Sequence, residues 1–107
     1  MNTVAVLGAG SWGTTLAIHL CQVGAEVRLW GNVRADLDAM VRDRENRKFL
    51  AGIMLPEGVK VLPELEAALE GAGFVFYVVP SQAVREVGER VVRAGNRGRA
   101  VCAAKGL

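Results

Sequence analysis

Histidine occurs once and cysteine twice in these 107 residues, and both scarcities narrow the chemistry. His19 stands among apolar neighbours in a helical stretch, with no carboxylate at a useful spacing. It reads as structural rather than as a proton shuttle. Cys21 and Cys102 lie far apart in apolar surroundings and form no C-x-x-C pair. They read as two buried free thiols in a reducing compartment, not as a disulfide or a metal site. Long apolar runs are missing too. The longest, "FVFYVVP" at residues 74–80, is far short of a membrane span. The opening "MNTVAVLG" has no basic leader region, so no secretory signal is visible and a cytoplasmic location is expected. Nor does one sign of charge dominate: 13 Lys and Arg oppose 11 Asp and Glu, spread along the chain. Without a basic stripe there is no case for a nucleic-acid surface. The most basic segment, "RDRENRK" (42–48), includes Asp43 and Glu45 and reads as a solvated face or loop.

What is present is a hydrophobic fraction of 51%, ample for one packed core, laid out as alternating strand and helix signals. "TVAVL" (3–7) is short, apolar and β-branched, the pattern of a buried parallel strand. A helical stretch from Ser11 follows, with Gly13, Leu16, Ala17, Leu20 and Cys21 on one face and Gly24 as its stop. "EVRLW" (26–30) is a second strand, and residues 34–44 form a second helix with Leu37, Met40 and Val41 on one side. Residues 45–63 hold two prolines and two glycines with little periodicity, predicting a structured loop with a short strand near 59–61. "PELEAALEG" is a short helix, and "GFVFYVV" (73–79) is the strongest buried strand. Residues 81–95 form an amphipathic helix with Val84, Val87, Val91 and Val92 inward, and "RAVCAA" (99–104) is a last strand. This order predicts an α/β fold with a doubly wound, mostly parallel sheet. Residues 1–107 are expected to be the N-terminal portion of that domain, stopping before its last strands.

"VLGAGSWGTTLA" (6–17) carries G-x-G-x-x-G directly between the first strand and the first helix. That context marks a dinucleotide-binding, Rossmann-type turn. Gly8 allows the tight turn, Gly10 lets backbone approach a pyrophosphate, and Gly13 lets the helix pack closely. The N–H groups of Ser11 and Trp12 would face the phosphates at the helix N-terminus. A purely structural strand-to-helix turn is the competing reading. After the second strand the chain reads "LWGNVRAD", with no acid from Leu29 to Arg34; the first carboxylate, Asp36, falls inside the next helix. Asn32 and Arg34 are therefore the expected neighbours of the adenosine ribose, and Arg34 could grip a 2′-phosphate. NAD(P)H is the expected cofactor, with NADPH preferred.

Three further features fall at the carboxyl ends of strands. Pro80 ends the central strand and presents a small apolar wall, and Ser81 is a fair N-cap. Lys105, after the last strand, could hold a substrate phosphate or polarise a carbonyl. Asn46, with Phe49 and Leu50, stands in the irregular loop.

Together "GAGSWGTTLA", "RLWGN", "ENRKFLAGIMLP", "VVPS" and "AAKGL" resemble the bacterial-type NAD(P)-dependent glycerol-3-phosphate dehydrogenases over the whole chain. The resemblance implies reduction of dihydroxyacetone phosphate to sn-glycerol 3-phosphate, for glycerophospholipid synthesis. It implies cofactor contacts from Ser11, Trp12, the Asn32 or Arg34 position, and Lys105, which would also touch substrate. It places the general-base lysine in a helical C-terminal domain that these residues do not include, so no catalytic residue is assigned here. A homodimer is the expected assembly. The alternatives are a β-hydroxyacid or 6-phosphogluconate-type dehydrogenase, or a non-enzymatic nucleotide-binding module.

Overall fold

The first strand carries four consecutive buried side chains, Val4, Ala5, Val6 and Leu7, which only a strand covered on both faces can use. The computed structural model, which describes residues 2–103, places that strand at the centre of a sheet. Strands β1 (Thr3–Leu7), β2 (Glu26–Trp30), β3 (Val59–Val61), β4 (Phe74–Tyr77) and β5 (Arg99–Cys102) alternate with helices. The helices are α1 (Ser11–Gln22), α2 (Arg34–Asp43), α3 (Leu65–Leu69) and α4 (Ser81–Arg93). The strand order is β3-β2-β1-β4-β5 and every pairing is parallel. The chain therefore winds outward from β1 to β3, then returns across β1 to begin again at β4. This is the doubly wound sheet expected from the alternation.

Right-handed crossovers put the two sets of helices on opposite faces. Helix α1 packs on β1, β2 and β3, whereas α3 packs on β1, β2 and α4. Polar side chains tie the ends together. Arg28 of β2 donates to the carbonyls of Ala67 and Glu70 at the end of α3. Arg44 ends α2 in the left-handed region (φ 53°) and donates to the carbonyls of Pro56 (2.7 Å) and Val59 (2.8 Å).

Several expected details differ. Strand β4 stops at Tyr77, because Val78 and Val79 turn to meet the glycine loop. Val41 and Val92 are exposed, at 48% and 76%, rather than inward. Each follows a buried residue, Met40 or Val91, and successive helical residues lie about 100° apart, so only one of each pair meets the sheet. Cys102 is exposed and Cys21 half-buried, so the thiols are free but not buried. Cys102 lies on edge strand β5, which among the described residues has one neighbour, β4. Ser81 is the first residue of α4 and Pro80 its N-cap, with no side-chain capping bond. His19 lies exposed in the last turn of α1. No described helix is long and apolar enough to cross a membrane.

Candidate cofactor-binding site

The glycine loop is built by three different constraints. Gly8 has φ +135°, and a Cβ there would fall 2.6 Å from the carbonyl carbon of Val78. Both its conformation and the approach of the β4 exit exclude a side chain. Its N–H donates to the Trp30 carbonyl at 2.6 Å, joining the ends of β1 and β2. At Gly13 a Cβ would meet the Gly8 carbonyl oxygen at 1.7 Å, so the first turn of α1 lies directly on the loop. Gly10 is different: a Cβ would have nothing within 4 Å and would project into open space. Gly10 is also the N-cap of α1, which has no side-chain cap and no acid in its first turn. The unpaired N–H groups there, and the positive end of the helix dipole, remain available to an anion.

Beside this loop is a cavity of about 560 Å³ at the carboxyl ends of β1, β2 and β4. It lies at the point where the strand order reverses, which is where doubly wound sheets bind ligands. Gly8 to Gly13 form one wall, Gly31 to Val33 and Asp36 a second, and Val78 to Pro80 a third; Lys48 and Phe49 close it from the irregular segment.

Of the residues expected from the sequence, Gly8, Gly10, Ser11, Trp12, Gly13, Asn32 and Pro80 are brought together on this cavity. Trp12 is 41% exposed and its indole N–H donates to the Ala103 carbonyl at 2.9 Å, so the ring also ties α1 to the segment after β5. Arg34 is not on the cavity wall. Its guanidinium lies 2.8 Å from Glu64 and 3.4 Å from Asp38. Lys105 lies outside the described residues.

Two charged residues of the wall, Asp36 and Lys48, are not among those expected from the sequence. Asp36 lies inside α2 as expected, yet it faces the cavity; it follows Val33 by three residues and so shares its face. Lys48, the end of the segment read as a solvated face or loop, is a wall residue 3.3 Å from Asp36. Helical spacing could have revealed Asp36, but the aperiodic segment around Lys48 carries no such signal.

That segment is held by Asn46, which is 2% exposed. Its amide donates to the Ala9 carbonyl (2.9 Å) and to Thr14 Oγ1 (2.8 Å), and its carbonyl accepts the Phe49 N–H (3.3 Å). One buried side chain thus joins the glycine loop, α1 and the Phe49 wall. Away from the cavity, burial raises the Tyr77 phenol above its ordinary pKa. Asp43 is held below the usual carboxylate range by its hydrogen bond from Arg42.

The site fits a dinucleotide: the missing Cβ at Gly10 leaves room for it, and the uncapped turn offers donors to a pyrophosphate. Comparison with known proteins points the same way. Residues 3–107 match the family described as NAD-dependent glycerol-3-phosphate dehydrogenase N-terminus. The chain is 49% identical over 85 residues to a glycerol-3-phosphate dehydrogenase [NAD(P)+] of Desulfotalea psychrophila, covering 79% of this chain and 25% of that protein. It is 42% identical over 105 residues to a protein of the same name from Chlorobium limicola, covering 97% and 32%. The crystal structure of glycerol-3-phosphate dehydrogenase from Coxiella burnetii superposes with a TM-score of 0.92 at 38% identity, covering 99% of this chain and 33% of that one. The chain therefore spans between a quarter and a third of the length of these relatives.

Proposed function

This chain belongs to the family of NAD-dependent glycerol-3-phosphate dehydrogenase N-termini, and on that premise we propose that residues 1–107 are the cofactor-binding part of a dehydrogenase. The reaction assigned is the interconversion of dihydroxyacetone phosphate and sn-glycerol 3-phosphate. The observation that carries this reading is the uncapped first turn of α1, laid on Gly8 and opening through Gly10 into a cavity at the reversal of the strand order.

Gly8, Gly10 and Gly13 shape the loop, and the N–H groups of Ser11 and Trp12 bind the pyrophosphate. Asn32 stands beside the adenosine ribose, and Pro80 keeps an apolar, donor-free wall toward the reacting end. Lys105 supplies a cation for the substrate phosphate or carbonyl. Bound here, a nicotinamide dinucleotide supplies hydride to a carbonyl carbon or takes it from the alcohol. The general base and the remaining substrate contacts are assigned to a helical region outside residues 1–107, which the greater length of the relatives accommodates. A cytoplasmic location and a homodimer complete the proposal.

The test uses the full-length polypeptide that carries this chain. Oxidation of NADPH or NADH is followed with dihydroxyacetone phosphate and, as controls, with hydroxyacids. Turnover with the triose phosphate and little with hydroxyacids is expected. Turnover with the hydroxyacids alone would move the assignment to another dehydrogenase class. Cofactor binding without any turnover would favour a nucleotide-binding module.

A further inference from the structure

Arg34, the cation expected at the adenosine ribose, is engaged by Glu64 and Asp38 and does not line the cavity. Among the described residues the one cation on the cavity wall is Lys48. Its ammonium lies 3.3 Å from a carboxylate oxygen of Asp36 and 5.2 Å from the centre of the Phe49 ring. Asp36 is in the first turn of α2, and with Asn32 and Val33 it forms the wall beyond the end of β2. In doubly wound sheets that end meets the adenosine ribose. An acid there accepts from the 2′-hydroxyl, and a cation nearby accommodates a 2′-phosphate. This cavity has both groups, each holding the other.

We propose that Lys48, paired with and opposed by Asp36, is the residue of this chain that distinguishes a 2′-phosphate from a 2′-hydroxyl; the inference rests on the dinucleotide reading above. An ammonium has three N–H donors, and Asp36 accepts from one of them. Two remain for phosphate oxygens. The Lys48 side chain is 59% exposed, so the ammonium can turn toward a phosphate at little cost, whereas Asp36, at 22%, is the more fixed partner. Facing a hydroxyl, the Asp36 carboxylate is the acceptor and Lys48 balances its charge. Facing a phosphate, Lys48 donates and the nearby carboxylate repels. The opposed charges admit both dinucleotides, and their balance sets the preference.

The experiment measures Kd for NADH and NADPH by calorimetry on the full-length protein and three variants. Lys48→Ala should weaken NADPH about tenfold or more, as expected for loss of a charge-assisted contact, and change NADH by no more than about threefold. Asp36→Asn should move the ratio the other way, tightening NADPH relative to NADH. Arg34→Ala should leave the ratio unchanged. Melting temperatures should stay within a few degrees of wild type, because an exposed ion pair contributes little to stability. A selective loss of NADPH in Arg34→Ala, or an equal loss of both dinucleotides in Lys48→Ala, overturns the proposal. If the wild type binds both dinucleotides and no variant changes their ratio, the proposal alone fails. If it binds neither, the cofactor reading fails with it.

Discussion

At the scale of single residues, the three glycines of one motif do separable jobs. Gly13→Ala would place a methyl group 1.7 Å from the Gly8 carbonyl oxygen, and backbone rather than a flexible side chain would have to move. That overpacking should cost about 1–3 kcal/mol or more. Gly10→Ala meets nothing within 4 Å, and φ there is −79°, which alanine adopts freely. Its stability should stay within about 1 kcal/mol of wild type, as a poorer N-cap is offset by a less flexible unfolded chain. Its methyl group, however, projects into the cavity and should weaken dinucleotide binding about tenfold or more by displacing the pyrophosphate from its donors. Urea unfolding and cofactor titration of the two variants separate the effects. A Gly10→Ala variant that binds normally would remove the pyrophosphate from this turn.

At the scale of elements, the segment between α2 and β3 has little regular structure, yet it supplies the Lys48 and Phe49 wall. An antiparallel bridge between Glu45 and Met54 closes it on itself, and side chains tie it to its surroundings: Asn46 to Ala9 and Thr14, and Arg44 to Pro56 and Val59. Asn46→Ala would leave the buried Thr14 hydroxyl, and the part-buried Ala9 carbonyl and Phe49 N–H, each short of a partner. We expect a loss of about 2–3 kcal/mol and a fall in Tm on the order of 10 °C, measurable by calorimetry. Asn46→Asp keeps the volume but turns a donor into an acceptor against the Ala9 carbonyl, and should be no better tolerated. A wild-type Tm in Asn46→Ala would show that the segment is held by something else.

At the scale of the whole molecule, the described sheet is most deeply buried at its centre. β1 has a strand on each side and four buried side chains, while Arg99, Ala100 and Cys102 of β5 are exposed. Amide exchange should show the buried centre directly, with Val4 to Leu7 protected to the limit of global unfolding. Fast exchange at Val4 to Leu7 would show that β1 is not the centre of the core. The reversal of strand order at β1 and β4 is also a property of the whole molecule, and it is what opens the cavity.

Most of this architecture was legible in the chain. Short apolar runs alternating with amphipathic stretches determine the parallel doubly wound order, because only strands covered on both faces can bury consecutive side chains. The spacing of Gly8, Gly10 and Gly13 determines where an anion can meet backbone, because it depends on sterics within a few residues. The choice of charged partners depended on folding. Arg34 meets Glu64, 30 residues away, rather than the cavity; Asn46 reaches back 37 residues to Ala9; and Lys48 meets Asp36 across 12 residues with no helical period between them. Long, flexible charged side chains have many partners within reach, and local spacing does not rank them. Tertiary packing decides by bringing one partner close, and here it put Lys48 rather than Arg34 at the cavity.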